Sequence, residues 1–223
     1  MKTPFRTFLL FFLLFYLVWL VRATVFYSAV DLSIPEGPGR WFFSNGVKFL
    51  LWVLPAAAYL LWLERDNPLT SMKITTRLDR RGLAIGSVVT LLFFVAIFTF
   101  EKFTSGRTLA ALLQAAPAAW LGVLGQVFFS PIVEETMFRG FVLPQLAARM
   151  DFWKANLLQA LLFTAMHWPN WIWTNGLGPG LLSSSMGVFA IALLFGWLLK
   201  RTNSLWPPVI VHIINNFLVS FMG

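Results

Sequence analysis

From Phe8 to Val21 every side chain is apolar or aromatic. Read on through Arg22 and Thr24 to Phe26, the run reaches about 20 residues, the length a helix needs to cross a bilayer's hydrocarbon core. Comparable runs follow at Trp41–Leu63, Leu83–Phe100, from about Thr108 onward, Phe152–His167, Leu181–Leu199 and Leu205–Met222. A chain built this way is expected to be an all-α polytopic transmembrane bundle of about seven spans. No linker or internal repeat divides it, so residues 1–223 are expected to form a single integral membrane domain. Only 12% of residues are charged and 58% are hydrophobic, whereas soluble domains carry about 25% charged residues.

Lys2 and Arg6 ahead of the first run resemble the start of a signal peptide. Arg22 interrupts the only candidate cleavage site, so the run reads as a retained span. Pro35-Glu36-Gly37-Pro38-Gly39 is a loop signal, Pro55 a candidate kink in the second span, and Lys48 a charge that snorkels or is paired. The most charged stretch, Glu64–Arg81, reads as a solvated cytoplasmic loop. Gly82 and the third span follow, then a polar link Glu101–Arg107. With seven spans and the N-terminus inside, Lys2, Arg6, Arg65, Lys73, Arg77, Arg80, Arg81, Arg149, Lys154, Lys200 and Arg201 lie inside. Only Arg40, Lys102 and Arg107 lie outside, an asymmetry that predicts a cytoplasmic N-terminus and an external C-terminus. In a bacterium the location would be the plasma (inner) membrane. The net charge of +8 is distributed between apolar runs, so the expected partner is the lipid bilayer and not nucleic acid. There is no cysteine, which excludes disulfides, thiolate metal sites and cysteine nucleophiles.

Against this background Ser130-Pro131-Ile132-Val133-Glu134-Glu135-Thr136-Met137-Phe138-Arg139-Gly140 stands out. Each charge inside a bilayer costs roughly 2.5–3.5 kcal/mol on insertion scales and usually marks a function. Ser130-Pro131 either caps a new helix or kinks a longer one, and near a helix start the two glutamates would be favoured. Glu135 and Arg139 are spaced for a helical ion pair, which makes Glu135 the structural partner of Arg139. Glu134 points about 100° away and has no partner nearby in sequence. A buried carboxylate left alone favours its neutral form, the behaviour of a general base. The competing reading pairs both glutamates with other spans purely for packing. His167 follows Phe163 by one helical turn, and Asn216 follows His212 by one turn. A histidine and an amide on one face can stabilise an oxyanion; they can equally hydrogen-bond between spans. No H-E-x-x-H or G-x-S-x-G is present, and no aspartate lies in an expected span. Ser183-Ser184-Ser185 reads as small-residue packing. What remains is a water-activating site, with or without a metal.

Glu134-Glu135-x-x-x-Arg139, Phe163-x-x-x-His167 and His212-x-x-x-Asn216, in that order, resemble the motif set of the CAAX-processing and bacteriocin-processing (CPBP) family. This family includes the type II CAAX prenyl endopeptidases. The resemblance covers a protease-like core of about residues 121–217. It implies an intramembrane endopeptidase, of glutamic or metallo type, acting on a peptide or protein substrate at the membrane. Glu134 and His167 would activate the water, His212 and Asn216 would form the oxyanion hole, and Glu135, Arg139 and Phe163 would be structural support. The resemblance leaves the cofactor open, with the metal-free form favoured; were zinc used, its ligands would be Glu134, His167 and His212. The alternative is a membrane protein of bacteriocin-immunity type that binds in the same pocket without cleaving. A transporter with Glu134 as proton site is disfavoured by the lack of paired broken-helix repeats.

Overall fold

In the computed structural model, which describes residues 3–35, 38–105 and 125–219, every regular element is helical. The longer elements are α1 (Phe5–Ser33), α2 (Gly39–Glu64), α3 (Arg80–Ser105), α4 (125–147), α5 (Phe152–Ala165), α6 (Trp168–Asn175), α7 (Pro179–Thr202) and α8 (Trp206–Val219). Among the described residues α1, α2 and α7 are long and apolar enough to cross a membrane, and α8 is a shorter apolar helix. The start of the expected fourth span near Thr108, with Pro117, lies outside the described residues. So do Lys2, Glu36, Gly37, Arg107, Leu121 and Met222.

α1 shows why the bundle suits lipid. Phe8, Phe12 and Phe15 recur at helical spacing and are buried, while Leu10, Leu13, Leu14, Leu17 and Val21 on the other side are exposed. In water that outer face would be polar. The buried phenylalanines join an aromatic core shared by α1, α2, α4 and α5. Phe15 meets Trp52 at 5.5 Å between ring centroids, Trp52 meets Phe138 at 5.8 Å, and Phe138 meets Phe163 at 5.0 Å. Lipid tails are as apolar as these rings, so such contacts hold the bundle by close packing and dispersion more than by exclusion of water.

Three expected boundaries move. α3 continues through Glu101 to Ser105, where a polar link was expected, since neither proline nor glycine lies between Glu101 and Ser105. The fifth segment does not run to His167: α5 ends at Ala165, and α6 begins at Trp168 with Pro169 in its first turn. The segment Glu64–Arg81 is not simply a solvated loop. Asn67 caps the short helix Pro68–Ser71, and Met72 is buried beneath Gly140. Beyond it, the Ile74 carbonyl accepts from Trp206 Nε1 at 3.0 Å, and Thr76 Oγ1 donates to Ser204 Oγ at 3.0 Å. These bonds tie the loop to the start of α8. Pro55 sits inside α2 without ending it; the helix passes into a π-helical turn at Tyr59–Glu64 and stops at Arg65 in the left-handed conformation.

α5 and α7 are joined by buried amides. Asn156 Nδ2 donates to the Leu193 carbonyl at 3.0 Å, and Gln159 Nε2 donates to the Ala192 carbonyl at 3.2 Å. Gly196 makes the approach feasible, because a Cβ there would lie 1.8 Å from Asn156 Oδ1. This packing fixes α7 against α5.

Candidate active site

α4 carries the two glutamates, and it is one continuous helix across Ser130-Pro131. Phe129 has helical backbone angles, and Ser130 makes no cap. Of the two alternatives, a new helix start is therefore excluded, and no helix N-terminus at Ser130 stabilises the carboxylates. Pro131 follows a π-helical turn, Gly125–Phe129, placed where a proline ring would otherwise clash with the carbonyl one turn back. A second π-helical turn, Thr136–Val142, includes Arg139; such turns recur at functional sites.

Adjacent in sequence, Glu134 and Glu135 face different surroundings, as the helical rotation predicts. Glu134 looks toward α2 and is not without a partner: Lys48 Nζ donates to its Oε1 at 2.5 Å, and Ser130 Oγ donates to the same oxygen at 2.7 Å. The expectation of an unpaired base is corrected here. Its partner comes from another helix, where the local sequence could not show it. The signal that could have found it is the one that exposed Glu134, a single charge in an apolar run.

Glu135 is completely buried and does more than pair with Arg139. One oxygen, Oε1, accepts from Arg139 Nη1 at 2.9 Å and from His212 Nδ1 at 2.8 Å. Arg139 is itself completely buried. Its Nη2 donates to the Ala192 carbonyl at 3.1 Å, and its guanidinium lies over Phe163 at 4.4 Å and Phe195 at 5.2 Å. Cation–π contacts of this kind strengthen when water is excluded.

α8 brings His212 across the site. With Nδ1 occupied by Glu135, Nε2 faces Glu134 Oε2 at 3.8 Å. That separation is too long for a direct hydrogen bond but suits one shared water. His167 occupies the junction of α5 and α6, where its Nδ1 bonds the Phe163 carbonyl at 2.9 Å. Its ring sits 4.9 Å from Phe163 and 5.1 Å from Trp171. A carbonyl accepts only, so His167 carries its proton on Nδ1 and, when neutral, offers a lone pair at Nε2. Phe163 stands between the two histidines and under Arg139. Asn216 lies one turn beyond His212, half-buried, with its Oδ1 accepting from Asn215 Nδ2 at 3.3 Å.

Glu134, Glu135 and Arg139 come from α4, Phe163 from α5, His167 from the junction of α5 and α6, His212 from α8 and Lys48 from α2. Among the described residues no three His, Cys, Asp or Glu side chains form a group suited to a metal ion. Lys48 and Ser130 occupy Oε1 of Glu134, so Oε2 and the Nε2 atoms of His167 and His212 are the donors a zinc ion would have to use. Ser183 and Ser184 are exposed and Ser185 accepts from Trp168 Nε1, so none of the three serines joins the site.

Residues 115–218 match the family described as Rce1-like, type II CAAX prenyl endopeptidase. The chain is also similar to the "Putative membrane peptidase YdiL" of Bacillus subtilis (strain 168), at 27% identity over 141 residues. That alignment covers 58% of this chain and 53% of the relative, so the chain spans about half the length of the curated protein it matches. No solved structure matches.

Proposed function

We propose that this chain, whose residues 115–218 belong to the Rce1-like type II CAAX prenyl endopeptidase family, is an intramembrane endopeptidase using water activated at Glu134. What supports this reading is that His212 Nε2 faces Glu134 Oε2 at 3.8 Å, with the rings of His167 and His212 both against Phe163. Glu134, aided by the His167 lone pair, takes a proton from the water. The water oxygen bonds to the scissile carbonyl carbon, and the carbonyl electron pair moves onto its oxygen. Asn216 and His212 stabilise that oxyanion. With its Nδ1–H directed to Glu135, His212 donates from Nε2 as an imidazolium, which Glu135 and Glu134 flank. The proton held by Glu134 passes to the leaving nitrogen as the C–N bond breaks. Glu135, Arg139 and Phe163 hold this arrangement without touching the substrate.

The proposal extends to a seven-span topology with a cytoplasmic N-terminus and to a substrate with a C-terminal isoprenylated tail or another membrane-bound peptide. The test is cleavage of isoprenylated and plain fluorogenic peptides by the purified protein in detergent, before and after exhaustive chelation. Cleavage that survives chelation and is abolished by Glu134→Gln is expected. Cleavage unaffected by Glu134→Gln overturns the mechanism, and cleavage that requires added zinc overturns its metal-free form.

A further inference from the structure

Lys48 is the single charged residue between Arg40 and Glu64, and it belongs to α2, outside the family-matched residues 115–218. Its ammonium donates to Glu134 Oε1 and to Ser130 Oγ, each at 2.5 Å. The Lys48 and Glu134 side chains are only 15% and 9% exposed. The faces of Trp52 and Trp19 lie 4.9 Å and 6.0 Å from the ammonium. Both donors converge on the same carboxylate oxygen, so Oε1 is anchored. Oε2 is left facing His212 Nε2 across the 3.8 Å that one water can bridge.

We infer that Lys48 is a positioning residue for Glu134: it holds the carboxylate ionised by Oε1, presents Oε2 to the attacking water, and supplies positive charge as the oxyanion forms. The inference rests on the peptidase reading above. Its charge accounting is direct. When the water proton moves to Glu134, the negative charge leaves Glu134 and reappears on the substrate carbonyl oxygen. Lys48 then stands without its counter-ion in a water-poor site, where a fixed positive charge stabilises the oxyanion most strongly. An ion pair kept only for packing would have no such coupling, and well-packed apolar residues could replace it without loss.

Two readouts separate these cases. Infrared difference spectra at neutral pH compare each protein with its own Glu134→Gln partner, which isolates the Glu134 vibration. The wild type and Lys48→Arg are expected to show carboxylate bands only; Lys48→Met is expected to add the C=O band of a protonated acid. On a cleaved isoprenylated peptide, Lys48→Met is expected to lower kcat by about 100-fold or more, the scale of losing one oxyanion stabiliser. KM should stay within about threefold, and Lys48→Arg should recover part of kcat. If Lys48→Met does not fold, Lys48→Gln keeps a donor without the charge and carries the same expectations. An unchanged infrared difference, or a kcat within about threefold of wild type, overturns the inference. If the wild type cleaves no peptide, the peptidase reading fails separately, and the infrared comparison alone decides whether Lys48 holds Glu134 ionised.

Discussion

Arg139→Met should be the most damaging single change outside the groups proposed to meet the substrate. Methionine fills much of the arginine's volume, so the loss is mainly electrostatic. It strips Glu135 of its 2.9 Å partner, removes the donor to the Ala192 carbonyl, and takes the cation from between Phe163 and Phe195. Arg139 and Glu135 have side-chain exposures of 0%, and breaking a pair buried so deeply costs about 3–5 kcal/mol. His212 still donates to Glu135 at 2.8 Å, which keeps the expected loss near the lower end, about 3 kcal/mol. Removing both charges in Arg139→Met/Glu135→Gln leaves no bare carboxylate, so the double variant should recover at least about 1 kcal/mol relative to the sum of the singles. Reversible unfolding in mixed micelles, followed by fluorescence of the 11 tryptophans, would measure all four corners of the cycle. A cost for Arg139→Met below about 1 kcal/mol, or strict additivity in the double variant, would refute the argument that this pair is a buried, mutually dependent unit.

Two further outcomes follow from the packing and from the loop. Gly196→Ala places a methyl 1.8 Å from Asn156 Oδ1; it should destabilise by about 1–3 kcal/mol, with Asn156→Ala in the same chain relieving part of the loss in thermal unfolding. Lys73, half-buried in the loop after α2 and bonded to Asn203, has its amine held below the usual lysine range by burial. Between that lowered value and the unfolded 10.5 the unfolded chain binds more protons, so stability rises with pH across this window. The slope should be small, because solvent screens a half-exposed group, and Lys73→Met should abolish it in unfolding measured from neutral to alkaline pH.

Much of this architecture is legible in the residues alone because its causes are local. Span-length apolar runs force helices, and α1, α2 and α7 appear where those runs lie. Charges are so scarce that each buried one is conspicuous, and a four-residue spacing suffices to pair Glu135 with Arg139. The same spacing placed His167 on the Phe163 face, yet the imidazole reaches the Phe163 carbonyl from a junction between two helices, because Pro169 favours a new helix start. π-helical turns left no mark that periodicity could read, since they add a residue to a turn without changing composition. What only the tertiary structure decided is which charges meet. Glu134 and Lys48 are separated by 86 positions, and Glu135 and His212 by 77. The amino-acid sequence determined that these charges must be compensated, because a bilayer penalises each of them. Which helix supplies the compensation depends on how the bundle packs, and that is set by many weak side-chain contacts acting together.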